Sequence, residues 1–429
     1  MNFNLLHPTD QLILIMERIY NYGMTTTSGG NLSILDDNGD IWITPGGVDK
    51  GSLTRNDIIQ VKPDGTIIGK YNPSSEFPFH KLIYQTRPDI KAVLHAHPPA
   101  LVAFSIVRKL PNTRLFPNVE LVCGKIGMAE YGLPGSTELG EKIAAVFRKG
   151  FRSVVLENHG VVVGGASLLD AFKSFETLDF CARLDIQARS IGKTISLTDA
   201  DMELSKNERN ADMPEFTPNG CSSAERDARR VMCNLIHRAY DQNLFTSTEG
   251  TFSCRLEDDS FLITPYEKDR KYLGPEDLVR IENGRKEAGK IPSRSVMLHK
   301  AIYEKHPHIN SVLIAHAPNI MAFCVTDQNF DSKTIPESYI LLRNIPKLPY
   351  GSVFMNPEQV AEQFVPSTPI VMVKNDCVIV TGNNLLNAFD RLEVAEYSAK
   401  AVISSRQLGD IVTIDDQKIR SLEEAFHLE

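Results

Sequence analysis

The chain has 429 residues, long for one domain and comfortable for two. Its 46 basic and 54 acidic residues leave a net charge of −8 with no long basic block, which argues against nucleic acid or an anionic membrane as a partner. No apolar run reaches the length of a membrane span, the N-terminus lacks the basic flank and cleavage site of a secretory signal, and seven cysteines without a CxxC pair read as reduced thiols of a cytoplasmic protein.

The first predicted helix enters at Thr9-Asp10 and runs to Tyr20, followed by the turn Gly29-Gly30-Asn31 into a strand. Free amides beside a short polar side chain suit an anion; a structural hairpin explains the same glycines. A second turn of this kind, Pro45-Gly46-Gly47, comes after a strand over 40–44. A third, Pro73-Ser74-Ser75, opens a helix, where exposed amides and the helix dipole both favour negative charge. Ser74 is expected to cap that helix, with Glu76 in its first turn and Pro78 tolerated near its start. Phe77, Leu82, Ile83 and Tyr84 form its apolar side before Arg87-Pro88 ends it.

The stretch Ala92 to His97 then alternates as a strand, so His95 and His97 share a face while Leu94 and Ala96 take the other. Two imidazoles beside the Glu76 carboxylate look like three ligands of a zinc site. A lone HxH is weak evidence, but the strand from Val154 ends in Asn158-His159-Gly160, where a further histidine can reach across. Between these, 100–107 reads as a short helix and 108–120 as a surface connection. Ser136 or Thr137 caps a helix ending at Lys149. Tyr131 stands before that turn, where a phenol either projects into a cleft or packs. Past His159, Leu168, Leu169, Phe172, Phe175 and Leu178 recur at helical spacing, the mark of a scaffold helix behind the His159 strand. The pattern predicts an α/β (α+β) layered sandwich with a mostly antiparallel central sheet.

Taken together, the Ser-Ser-Glu, HxH and Asn-His-Gly motifs resemble the class II aldolase and adducin family, which includes zinc-dependent L-fuculose-phosphate aldolase. The resemblance implies that Glu76 serves as metal neighbour and acid or base, with His95, His97 and His159 holding zinc or another divalent metal. It also implies a substrate phosphate held at Asn31, Gly47, Ser74 and Ser75, with Gly46 standing where the family usually offers a hydroxyl. The implied reaction is reversible aldol cleavage of a phosphorylated sugar, with a tyrosine as proton donor. Epimerases and dehydratases of the family are the nearest alternatives, and the epimerase carries aspartate where Glu76 stands. A noncatalytic adducin-like scaffold is the other class, against which the complete ligand set argues.

Residues 201–220 are polar with two prolines and read as a linker, and Ser222 with Glu225 as a capping box for the next helix. The remainder of the chain is a second copy: the stretch from Pro292 lays over that from Pro73 without a gap, and that from Val371 over that from Val154. The expected domains are 1–205 and a degenerate 206–429. Ser295 replaces Glu76, Ile314 replaces His95 and Asp376 replaces His159, leaving His316 opposite His97. Thr251, Tyr266, Glu267 and Arg294 stand for Asn31, Gly46, Gly47 and Ser75. Tyr350 keeps the place of Tyr131 before a glycine. Since family aldolases form rings of four subunits, the resemblance implies a homodimer closing a four-domain ring, in which Tyr350 is a candidate proton donor.

Overall fold

The computed structural model describes residues Phe3–Leu428. The chain separates into two compact units, one of residues up to Thr113 together with Asn118–Arg183, the other of Arg114–Pro117 with the chain from Leu184 onward. The division falls inside the helix Leu168–Ile191, so residues 184–205 group with the second unit.

In the first unit the elements run α1 (Pro8–Asn21), β1 (Asn31–Leu35), β2 (Ile41–Ile43), β3 (Ile59–Val61), β4 (Ile67–Ile68), α2 (Phe77–Thr86), β5 (Ala92–Ala96), α3 (Pro99–Ile106), α4 (Pro117–Cys123), β6 (Ile126–Ala129), α5 (Thr137–Arg148), β7 (Ser153–Leu156), β8 (Val161–Gly165) and α6 (Leu168–Ile191). The strands form one sheet in the order β4-β3-β2-β1-β5-β8-β7-β6, antiparallel except for β6 beside β7. The layered, mostly antiparallel architecture expected from the sequence is therefore present. One sheet face buries Ile43, Ile59, Val93 and Val154 against Phe79 and Ile83 of α2 and Ile143 and Phe147 of α5. His95 shares that face with Val93, since residues two apart in a strand point the same way.

Several local expectations are corrected. Glu76 itself occupies the N-cap of α2 with no side-chain cap bond, and Ser74 Oγ accepts instead from the Glu76 amide at 3.3 Å. The buried side of α2 is Phe79, His80, Ile83 and Tyr84, because the helix turns two polar side chains toward β1. The connection over 108–120 is not a surface loop: Leu115 and Phe116 are buried and α4 begins at Pro117.

The second unit runs α7 (Asp199–Ser205), β9 (Glu215–Phe216), α8 (Ser223–Asp241), β10 (Thr251–Arg255), β11 (Phe261–Ile263), β12 (Val279–Glu282), β13 (Arg285–Glu287), α9 (Val296–Lys305), β14 (Ser311–Ala315), α10 (Pro318–Cys324), β15 (Lys347–Leu348), β16 (Ile370–Val373) and β17 (Val378–Gly382), with further short helices and the helix Leu385–Ser405. Its sheet order is β15-β16-β17-β14-β10-β11-β12-β13-β9. The predicted linker is thus partly structural, for α7 lies in it and β9 pairs with β13. Only half of the predicted capping box forms: Ser222 accepts from the Glu225 amide, but the Glu225 carboxylate is drawn to Arg229 and Arg280.

Candidate metal centre

The register of β1 against β5 sets Asn31 directly opposite His95, and β5 pairs on its other side with β8, just past the turn that carries His159. That turn can approach only because residue 160 is glycine. A Cβ there would lie 2.6 Å from the Ala96 carbonyl and 2.7 Å from His97 Cδ2. Asn158 takes the left-handed conformation at φ 54°, which asparagine tolerates better than most residues. The three imidazoles consequently gather, with ring centroids 4.6 Å apart for His95 and His97, 4.9 Å for His95 and His159, and 5.1 Å for His97 and His159. One nitrogen from each lies within 4.8 Å of the others.

Glu76 completes the group. Its Oε2 lies 3.2 Å from His95 Nε2 and its Oε1 3.6 Å from His159 Nε2. His95 Nδ1 is 2.9 Å from the Val161 carbonyl, which only a protonated nitrogen can satisfy, so Nε2 of the neutral ring carries a lone pair facing the carboxylate. Burial, with His159 close by, lowers the His95 pKa to about 3, and burial beside His95 and His159 lowers that of His97 to about 3. Burial lowers His159 against the opposing pull of Glu76. The rings are therefore neutral at physiological pH. Among the described residues, buried His95 Nε2 and Glu76 Oε1 have no hydrogen-bond partner, a costly arrangement that a cation between them relieves. Three neutral imidazoles and a carboxylate are a donor set suited to zinc or a similar divalent metal.

Three turns border this group. Gly30, at φ 72°, lies against the His95 carbonyl, and a Cβ at Gly29 would come within 3.1 Å of His97 Nδ1. The Gly46-Gly47 turn lies along Pro73 to Ser75, with the Gly46 amide donating to the Asn72 carbonyl at 3.2 Å. Lys50 joins two of the turns. Its Nζ donates to the carbonyls of Pro45 at 2.7 Å and Val48 at 3.1 Å, while its amide donates to Thr27 at 2.8 Å. Sequence reasoning misses this buried ammonium; its signal is a cation at the equivalent place in both copies, for Arg270 donates to Pro265 and Lys268.

The remaining candidate residues occupy different settings. Asn31 is buried and its side chain is engaged at both ends, donating to Glu76 Oε2 at 2.8 Å and facing His80 Nε2 at 2.5 Å. Ser74 is buried and Ser75 exposed. Tyr131 is 51% exposed. Tyr350 lies in the second unit, where burial and the charges of Asp376 and Glu208 raise its pKa, keeping the phenol protonated.

The sequence pattern of the family described as Class II Aldolase and Adducin N-terminal domain matches residues 10–186 and again 230–403. An L-fuculose phosphate aldolase of Methanococcus maripaludis is 37% identical over 175 residues, 41% of this chain and 94% of that protein. A 3-oxo-tetronate 4-phosphate decarboxylase of Haemophilus influenzae is 32% identical over 177 residues, 40% of this chain and 84% of that protein. Among solved structures, an L-fuculose 1-phosphate aldolase aligns over 46% of this chain and 93% of its own at 34% identity, with a TM-score of 0.42. With its pattern matched twice in succession, the chain belongs to the class II aldolase and adducin family as a tandem duplication.

Proposed function

We propose that the first unit catalyses metal-dependent, reversible aldol cleavage of a phosphorylated sugar. The observation that carries this reading is the convergence of unpartnered His95 Nε2 and Glu76 Oε1 with His97 and His159, beside three amide-bearing turns. A divalent cation held by His95, His97 and His159, zinc being the family's metal, supplies Lewis-acid polarisation of a substrate carbonyl. Glu76 is suited to move the proton, since Asn31 holds one carboxylate oxygen and leaves the other free. Gly47, Ser74, Ser75 and the second amide hydrogen of Asn31, whose first is given to Glu76, are assigned to the substrate phosphate, whose negative charge the turn amides and the start of α2 favour.

The chemistry further needs a group that takes the proton from the hydroxyl beside the breaking C–C bond as the aldehyde forms, and that returns it to the aldehyde oxygen in the reverse addition. Tyr131, or Tyr350 in a homodimer that closes a four-domain ring, is assigned that step. Seven cysteines without a CxxC pair support a cytoplasmic setting. Among the described residues no helix is long and apolar enough to cross a membrane. The test is a panel of phosphorylated ketoses, with 3-oxo-acid phosphates included because of the decarboxylase relatives, assayed with zinc-loaded protein. Glu76→Gln should lower kcat about a hundredfold or more with metal retained. Of Tyr131→Phe and Tyr350→Phe, the substitution at the phenol that handles this proton should lower kcat and kcat/KM together at unchanged Tm. Turnover of no substrate in the panel by metal-replete protein contradicts the proposal.

A further inference from the structure

We infer that Tyr84, Ser33 and His80 form a buried positioning chain that orients Asn31, and through it the carboxylate of Glu76; this rests on the reading of Glu76 as the acid–base group beside a metal.

Glu76, His80 and Tyr84 are spaced four apart on α2 and so make one stripe, while Asn31 and Ser33, two apart on β1, share the strand face it meets. The contacts interlock: Tyr84 OH lies 2.6 Å from Ser33 Oγ, Ser33 Oγ 2.7 Å from His80 Nδ1, His80 Nε2 2.5 Å from Asn31 Oδ1, and Asn31 Nδ2 2.8 Å from Glu76 Oε2. Donor and acceptor chemistry sets the directions. The carboxylate only accepts, so Asn31 turns its NH2 toward it and its carbonyl toward His80. His80 Nε2 must then carry the ring's proton, Nδ1 accepts from the Ser33 hydroxyl, and Ser33 Oγ accepts from Tyr84. Full burial favours the neutral, single-proton ring that this order requires. A histidine tautomer set deep in the core thus decides which end of an amide meets Glu76. One carboxylate oxygen is tethered and the other faces His159.

The bland account is that these side chains only fill a core. The second unit separates the two accounts, because it keeps the core and lacks the end of the chain. Ser253 Oγ lies 2.6 Å from both His299 Nδ1 and Tyr303 OH, as in the first unit. Thr251 and Ser295 replace Asn31 and Glu76, Thr251 bonds Ser293 instead, and His299 Nε2 has no hydrogen-bond partner among the described residues. His299 is therefore the matched control for His80.

The experiment uses the full chain with cobalt(II) as the probe, following its visible spectrum and dissociation constant. Releasing the Glu76 tether lets the carboxylate move toward the metal, so Asn31→Ala and His80→Leu should each alter the spectrum and change the dissociation constant about tenfold. Their combination should add nothing, as expected of two links in one chain. His80→Gln, which keeps an amide donor, should restore wild-type behaviour in part. His299→Leu should lower Tm as His80→Leu does while leaving the spectrum and affinity those of wild type. Wild-type cobalt behaviour in His80→Leu beside an altered Asn31→Ala, or an equal change in His299→Leu, overturns the inference. If His80→Leu does not fold, Ser33→Ala takes its place, and the same unaltered spectrum overturns it. Failure of the wild type to bind cobalt at all sinks the functional reading and this inference together, a result distinct from either of those.

Discussion

In the first unit β1 sets Asn31 opposite His95, and in the second the same register sets Thr251 opposite Ile314. Around this shared frame the polar groups have been exchanged. Cys377, buried, stands where Gly160 lets the His159 turn close on β5. Glu249 stands where Gly29 leaves room beside His97, and its carboxylate lies 3.6 Å from His316 Nε2. Arg294, in the place of Ser75, pairs with Glu208 at 2.9 Å and covers the Tyr266 ring. The first unit thus leaves His95 Nε2 facing the Glu76 carboxylate, whose Oε1 is unmatched among the described residues, whereas in the second unit Glu249 lies beside His316 and Glu208 beside Arg294. Retention of a fold and retention of a site are separable: sheet register survives many substitutions, but a ligand set fails with the loss of one approach or one imidazole.

The comparison can be sharpened by placing charge at equivalent positions. Ser75→Asp should put like charge beside a bound phosphate and raise KM for a phosphorylated substrate about tenfold or more, with metal content unchanged. Arg294→Asp, at the same place in the second unit, should leave KM within about twofold of wild type. Equal KM for wild type and Ser75→Asp would remove the phosphate from the α2 turn.

A smaller effect concerns the residue that replaces His159. Burial, reinforced by Glu208 and Glu249 and opposed by Arg294, raises the Asp376 carboxyl from its ordinary 3.8 to about 7. A folded-state pKa above the unfolded value means that the stabilising contribution of the neutral acid is complete below about pH 4 and is lost as pH rises through about 7. Asp376→Asn should accordingly melt a few degrees above wild type at about pH 8 and converge with it near pH 4. Identical melting curves at both pH values would show that Asp376 does not carry a buried negative charge.

Much of this was legible in the sequence. Alternation along Ala92 to His97 put two imidazoles on one face, and the second copy's gap-free overlay established the duplication. The tether of Glu76 escapes a linear reading, although its signal is present: His80 and Tyr84 recur as His299 and Tyr303 in both copies of α2, four residues apart on the buried side. Periodicity alone assigns such a tyrosine to packing, and only the strand face opposite, with Ser33 and Asn31, shows that the stripe is polar by design. Similarly, the position of Ser74 suggests a cap, but its hydroxyl serves the Glu76 amide because the chain bends before the helix begins. The segment over 108–120 looks solvent-exposed by composition, and no local pattern announces that Leu115 and Phe116 are buried.

The most direct test of the asymmetry between the units is metal content. Elemental analysis of protein reconstituted with zinc and freed of excess should give about one ion per chain. The double substitution His95→Ala/His97→Ala should abolish it, and His316→Ala in the second unit should leave it unchanged. Two ions per chain, none in the wild type, or retention by the His95→Ala/His97→Ala protein would contradict the account.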